Sequence, residues 1–303
     1  MNVRDLIYIK ALAKFRHFGH AAQACHVSQP ALSTQVKKLE DELGIVLFER
    51  DNRSVRVTDA GRDIVALAED ALAVIENIKS AAETARDPLS GHLRIGSIPT
   101  IAPYVLPEFV AHARGAMPDL KLQFREDITE RLNEALLSGD IDAAVLATAP
   151  EDPKLDVIEL YDEPFWVIFP QHHKLQDVRL IRTQDLPVDE LLLLAEGHCF
   201  RDQAMDVCRL DSANENYAVR ATSLETLINM VAARQGVTLV PAMALNPRWT
   251  GMADVQAEKL NDKSAYRRIY LTYRKTFPRK ALLDKVADIF CADLPSSVRV
   301  IKR

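Results

Sequence analysis

At 303 residues the chain is long enough for about two domains, and 48% hydrophobic with 27% charged residues excludes a disordered or collagen-like chain. Apolar stretches such as Leu191 to Ala195 fall far short of the roughly 20 residues a membrane span needs, and Asp5 interrupts the start where a signal peptide needs apolar continuity. A cytoplasmic protein with no membrane partner is therefore expected. Four cysteines are too few for a disulfide scaffold, so any disulfide would be a regulated one. The net charge of −5 divides unevenly: residues 1–58 carry +3 and the remainder −8, a basic head on an acidic body that permits nucleic-acid contact through the head.

The head reads as helical and then briefly strand-like. Leu6, Ile9, Leu12 and Ala13 make one helical stripe, and Ala21, Ala22 and Cys25 a shorter one. Ser28 fits as an N-cap with Pro30 in the first turn of a helix whose apolar residues are Leu32, Val36, Leu39 and Leu43. Its opposite face carries Pro30, Ser33, Thr34 and Lys37. Such a face suits a major groove, with Gln29, Ser33 and Thr34 reaching base edges and Lys37 and Lys38 meeting phosphate. After Gly44, strands over Val46–Glu49 and Val55–Thr58 around a turn at residues 51–54 predict a wing. Arg53 at its tip is placed to enter a minor groove, with Arg50 or Arg56 on the backbone. An ordinary amphipathic helical subdomain fits the same pattern.

From Thr58, apolar residues at Ile64, Leu67, Ala68, Ala71, Val74, Ile75 and Ile78 predict a helix running to Asp87-Pro88, about 40 Å long. Ile64, Ala71 and Ile78 lie seven apart, as pairing with a second copy requires, although packing on its own body would also bury the stripe. Beyond Gly91, short strands alternate with helices, which argues an α/β body with mostly parallel sheet. Thr100 and Thr129 follow its first two strands and open helices, near the edge where such sheets bind ligands. The domains expected are 1–58, a linker over 59–87, and a body over 88–303 divided into 88–162 with 267–303, and 163–266.

No G-x-S-x-G, Walker A, H-E-x-x-H or C-x-x-C run occurs, and the eight histidines lack metal-ligand spacing, so neither an enzyme, a cofactor nor a metal is expected. Cys25 and Cys291 read as small core residues. The informative stretch is EGHCFRDQAMDVCRL. Cys199 falls at the start of a predicted helix over residues 200–210, beside His198 and Arg201, where positive charge would favour thiolate, with Asp202 pulling the other way. Cys208 lies nine residues on, about 13 Å along a helix, whereas a disulfide needs Cα atoms roughly 4.4–6.8 Å apart, so joining them would require local refolding. Two inert structural thiols remain the alternative.

HAAQACHVSQPALSTQVKKLEDELGIVLFER, followed by VRVTDAG, resembles the winged helix-turn-helix of LysR-type transcriptional regulators. GHCFRDQAM, the second cysteine, RATSLETLINMVAA and TLVPA resemble the hydrogen-peroxide-sensing members of that family. The resemblance implies an N-terminal winged helix-turn-helix, a long dimerising linker helix and a two-subdomain, periplasmic-binding-protein-like α/β body. It implies a dimer that pairs into a tetramer, binds double-stranded promoter DNA and works with RNA polymerase, with hydrogen peroxide as signal. DNA contacts then fall to Ser28, Gln29, Pro30, Ser33, Thr34, Lys37, Arg50 and Arg53. Position 34 is often Arg in that family and is Thr here, so base contacts there do not transfer. Cys199 would be the peroxidatic thiol and Cys208 the resolving one, with Thr100, Thr129, His198 and Arg267 (Arg268 if the register slips) holding peroxide. Two rival functions stay open: a regulator with a small organic effector between the subdomains, and a thiol peroxidase.

Overall fold

A computed structural model describes residues 1–51, 54–84, 89–210, 220–245 and 255–302. Arg53, the expected helix stop at Asp87-Pro88 and the start of the YAVRA strand lie outside these, as does the side chain of Arg50. The chain divides into two compact units, Met1–Ala82 with Leu137–Asp140, and Glu83–Leu136 with Ile141–Arg303.

In the first unit, α1 (Val3–Phe15) opens on a capping box in which Asn2 and Asp5 satisfy each other's backbone N–H groups. The imidazole of His17 caps α2 (Phe18–Ala24), and Ser28 caps α3 (Gln29–Leu43), which Gly44 closes at φ 70°. Ile9, Leu12, Ala21, Ala22, Leu32, Val36 and Leu39 are buried together in one core, the predicted stripes turned inward. The wing is the antiparallel pair β1 (Phe48–Asp51) and β2 (Ser54–Val57), shifted one or two residues from its sequence-based limits. The buried Glu40 carboxylate accepts from Leu47 N and Phe48 N at 2.9 and 3.0 Å, and so fastens α3 to the wing.

Helix α4 (Asp59–Thr84) has 26 residues, about 39 Å at 1.5 Å per residue. Thr58 Oγ1 accepts from Gly61 N at 2.8 Å and donates to Val46 O, so one hydroxyl sets both the helix start and the wing's exit. The predicted single stripe splits in two. Val65 and Ala68 are buried in the head core, whereas Leu67, Val74 and Ile78 are 63%, 55% and 65% exposed, on a face that repeats with Ile64 and Ala71 at alternating steps of three and four.

The second unit carries β3 (Gly91–Ser97), α5 (Ala102–Ala116), β4 (Leu120–Glu126), α6 (Thr129–Leu137), β5 (Ala143–Leu146) and β6 (Leu155–Pro170). There follow β7 (Leu193–Leu194), α7 (Cys199–Cys208), β8 (Arg220–Ala221), α8 (Leu224–Ala232), β9 (Thr238–Pro241), β10 (Val255–Lys259), β11 (Tyr266–Arg274), a final helix Lys280–Phe290 and β12 (Arg299–Val300). The main sheet runs β10-β6-β11-β5-β3-β4, with β9 and β12 also on β6. A mostly parallel sheet was expected, and this is corrected: β3 pairs in parallel with β4 and β5, but every pairing of β6 and β11 is antiparallel. The cause is the long strand β6, which leads the chain out of the first half of the sheet, and β11, which returns beside it in the opposite sense. Residues 155–164 of β6 pair with β11, and residues 165–170 with β9 and β10. The changeover falls at Glu163, Pro164 and Phe165. All four side chains of β5 are buried, as a strand covered on both faces requires.

Candidate functional site

Two helix starts and one turn converge on one point of the second unit; Thr100 was expected to open a helix, but α5 starts at Ala102 with Ile101 before it and no side-chain cap. Thr100 lies just past β3, Thr129 opens α6 after β4, and His198 and Cys199 open α7 after β7. Together with Ile98, Ile128 and Phe200 they line a cavity of about 10 Å³, the volume that one water-sized molecule needs. Opposite α7, the buried strand β11 supplies Arg267. Its guanidinium donates to Thr100 Oγ1 at 2.7 Å and to Thr100 O at 3.0 Å, and its Nε donates to Glu163 Oε2 at 2.8 Å. Both partners of that ion pair are fully buried. The Phe200 ring lies 5.3 Å beneath the cation and packs edge-on against Phe165. Arg268 points the other way, to Asp162 and Glu159, and remains partly exposed. Alternation along a strand explains the difference: neighbouring residues face opposite sides of the sheet.

A thiolate-favouring environment for Cys199 was expected from its helix start with His198 and Arg201, and this is corrected. Burial pushes the Cys199 thiol above its ordinary value, and Asp202 adds to the rise. Arg267, the nearby Thr129 hydroxyl and the Phe200 N–H pull it back without winning. Neither expected neighbour supplies the charge. Arg201 lies 3.8 Å from Glu196, and burial lowers the His198 value, which keeps that ring neutral near pH 7. The cation comes from β11, far away in sequence. Thr129 Oγ1 is buried beside Cys199, where it favours a thiolate, and has no other hydrogen-bond partner among the described residues. A hydroxyl offers one donor and two acceptor positions, so Thr129 keeps capacity for a small hydrogen-bonding guest.

Cys208 ends α7 and packs partly buried against the core around Phe165, Phe169 and Leu227. Burial, with Asp262 adding, pushes its thiol up to about 11. All four cysteines are free. Because α7 is continuous from Cys199 to Cys208, its rise alone separates their Cα atoms by about 13 Å, twice what a disulfide spans. Cys25 closes α2, and the Cys291 Sγ donates to Leu160 O.

In the first unit, Ser28, Gln29, Pro30, Thr34, Lys37 and Lys38 are exposed along α3 and Ser33 is half-buried; Ser28 Oγ also accepts from Ala31 N. The face of α3 opposite its apolar stripe is thus exposed, as the helical spacing predicted.

Sequence reasoning missed Glu163 and Glu40. Glu163 carried a signal, since an acid inside an otherwise apolar run is rarely buried unless paired; Glu40 carried another, lying four residues after Val36 on the inward side of α3. LYDEPFWVIF holds Asp162 and Glu163 in such a run.

Residues 3–62 match the family model of bacterial regulatory helix-turn-helix proteins, lysR family, and residues 86–293 match the LysR substrate binding domain. A hydrogen peroxide-inducible genes activator of Dickeya chrysanthemi is 41% identical, over 95% of this chain and 94% of its own. A full-length variant of OxyR from Pseudomonas aeruginosa superposes with a TM-score of 0.77 at 35% identity, covering 97% of this chain and 99% of the other. A mutant of Corynebacterium glutamicum OxyR with hydrogen peroxide bound gives 0.65 at 36% identity, with 96% and 91% covered. With both family models matched and relatives aligned nearly end to end, the chain belongs to the LysR family of bacterial transcriptional regulators and is similar within it to the OxyR proteins.

Proposed function

We propose that this chain is a DNA-binding regulator of the oxidative-stress response that senses hydrogen peroxide through Cys199 and a Cys199–Cys208 disulfide. The observation that carries the reading is the cavity at Cys199. At about 10 Å³ it admits a very small polar molecule and is far too small for an organic effector, and its polar wall is Thr100, Thr129 and His198 with Arg267 behind Thr100. A peroxide seated there gains the Thr129 hydroxyl as a partner. The similarity to an OxyR crystallised with hydrogen peroxide points the same way.

The chemistry runs in two steps. The Cys199 thiolate attacks one peroxide oxygen; the S–O bond forms, the O–O bond breaks, and hydroxide departs, taking up a proton to leave as water. Arg267 and the hydroxyls stabilise charge on the leaving oxygen. The sulfenic acid at Cys199 is then attacked by the Cys208 sulfur, which forms the S–S bond and releases a second water. Since α7 holds the two sulfurs apart, the second step unwinds it, and the covalent change becomes a change of the body's surface. Neighbouring copies packed through that surface, in a tetramer of α4-paired dimers, would reposition their heads on promoter DNA and their contacts with RNA polymerase. Pairing through Leu67, Val74 and Ile78 covers the exposed stripe of α4. DNA contact rests on Ser28, Gln29, Pro30, Ser33, Thr34 and Lys37, with Arg50 and Arg53 from the wing.

The test is peptide mass mapping after one equivalent of peroxide, with a promoter reporter in parallel. The expected product is the Cys199–Cys208 linkage, and Cys199→Ser is expected to abolish both linkage and response. A normal transcriptional response from Cys199→Ser would remove the mechanism. Sustained turnover of peroxide with a reductant, at the rate of a dedicated enzyme, would favour a thiol peroxidase instead.

A further inference from the structure

Among the described residues whose charge acts on Cys199, Arg267 is the cation, and its guanidinium is already held. Glu163 sits where β6 passes from its pairing with β11 to its pairing with β9, and is as fully buried as Arg267. One carboxylate oxygen accepts from Arg267 Nε at 2.8 Å, and the other from Met243 N at 2.7 Å, in the turn that follows β9. The carboxylate is therefore anchored at both oxygens, and the two terminal nitrogens of Arg267 are both turned to Thr100.

We propose that Glu163 is a positioning residue of the thiol reaction: it clamps Arg267 against Thr100 and competes with the Cys199 thiolate for the charge of that guanidinium. The competition follows from burial. In a low-dielectric interior a guanidinium needs one counter-ion, and the stronger acid takes the role. The carboxylate draws on the same Arg267 charge that a Cys199 thiolate would use, and Arg267 lowers the thiol's value without overcoming burial. The other charged or titratable groups facing the pair are Asp202 on α7, neutral His198 at its start, Tyr161 on β6, and Tyr104 on α5, itself near Glu126 and Glu225. None of these bonds to Arg267 among the described residues, so Glu163 is the acid that shares its charge with the thiol. Under the peroxide-sensing reading, on which this rests, Glu163 sets how reactive the resting sensor is.

The experiment is a pH titration of the Cys199 thiolate in the full-length protein. Its ultraviolet absorbance is taken as the difference from Cys199→Ser in the same background, with folding checked by circular dichroism. Glu163→Gln is expected to lower the midpoint by about one pH unit or more, roughly tenfold more thiolate at a fixed pH below it. Glu163→Asp, which keeps the charge, is expected to leave the midpoint near that of the parent. An unchanged or raised midpoint in Glu163→Gln overturns the proposal. Should that variant not fold, Arg267→Gln and the double variant Arg267→Gln/Glu163→Gln carry the test. With the cation gone their midpoints are expected to coincide, and a lower midpoint in the double variant overturns action through Arg267. The titration uses no peroxide, so a shifted midpoint without Cys199 oxidation by peroxide would sink the functional reading and leave the Glu163 assignment intact.

Discussion

Unwinding of α7 is the step on which a thiol switch depends here, and its cost can be changed without touching either sulfur. Asp206 is exposed on that helix, one turn beyond Asp202 and two residues before Cys208. Its side chain is neither part of the cavity nor of the buried face formed by Phe200, Ala204 and Met205. Comparing Asp206→Ala with Asp206→Gly removes the same carboxylate in both, so dipole and charge effects cancel, and leaves only backbone preference. Glycine costs a helix interior about 0.8–1.0 kcal/mol relative to alanine. If Cys208 reaches the Cys199 sulfenic acid only from an opened helix, the glycine variant lowers the opening cost by that amount. At about 1.4 kcal/mol per tenfold, disulfide closure should then be about fivefold faster than in the alanine variant. Rapid mixing with peroxide, acid quenching and mass mapping separate the two steps, since sulfenic acid appears first and the Cys199–Cys208 linkage second. Formation of the sulfenic acid should be equal in both variants. Equal closure rates would show that the thiols meet without unwinding, and would refute the argument from helix length.

Three further outcomes are expected. Cys208 titrates near 11 in the fold against an ordinary 9.0, so the fold favours its protonated form: the stability this brings is complete below pH 9 and drains away as pH rises towards 11. Urea melts of the reduced chain should lose about 2–3 kcal/mol across that window, and Cys208→Ala should lose that much less. Gly61→Ala places a Cβ 2.2 Å from Leu47 O, so the wing or the start of α4 must move; a destabilisation of about 1–3 kcal/mol and weaker DNA binding are expected, and an unchanged melting curve would contradict the close approach. Val74→Glu puts a charge in the exposed stripe of α4 and should reduce the tetramer to dimers joined through their bodies in sedimentation while the circular dichroism spectrum is kept; intact tetramers would place the pairing surface elsewhere.

Local chemistry made much of this protein legible before any fold was known. Ser28, Pro30 and Gly44 mark the limits of α3 because caps and left-handed turns are decided within four residues. The stripes through Leu32, Val36 and Leu39 faced inward because helical spacing fixes which residues share a side. The distance between Cys199 and Cys208 likewise follows from their positions on one helix. Tertiary structure decided what depends on residues remote in sequence. It settled which cation faces the thiol: Arg267 arrives on a strand 68 positions after Cys199, whereas the adjacent Arg201 turns away to Glu196. It divided the α4 stripe between a buried and an exposed side, and joined parallel and antiparallel strands in one sheet through β6 and β11. It also reversed the expected state of Cys199, because desolvation depends on how completely the surrounding chain excludes water, and no run of neighbouring residues specifies that.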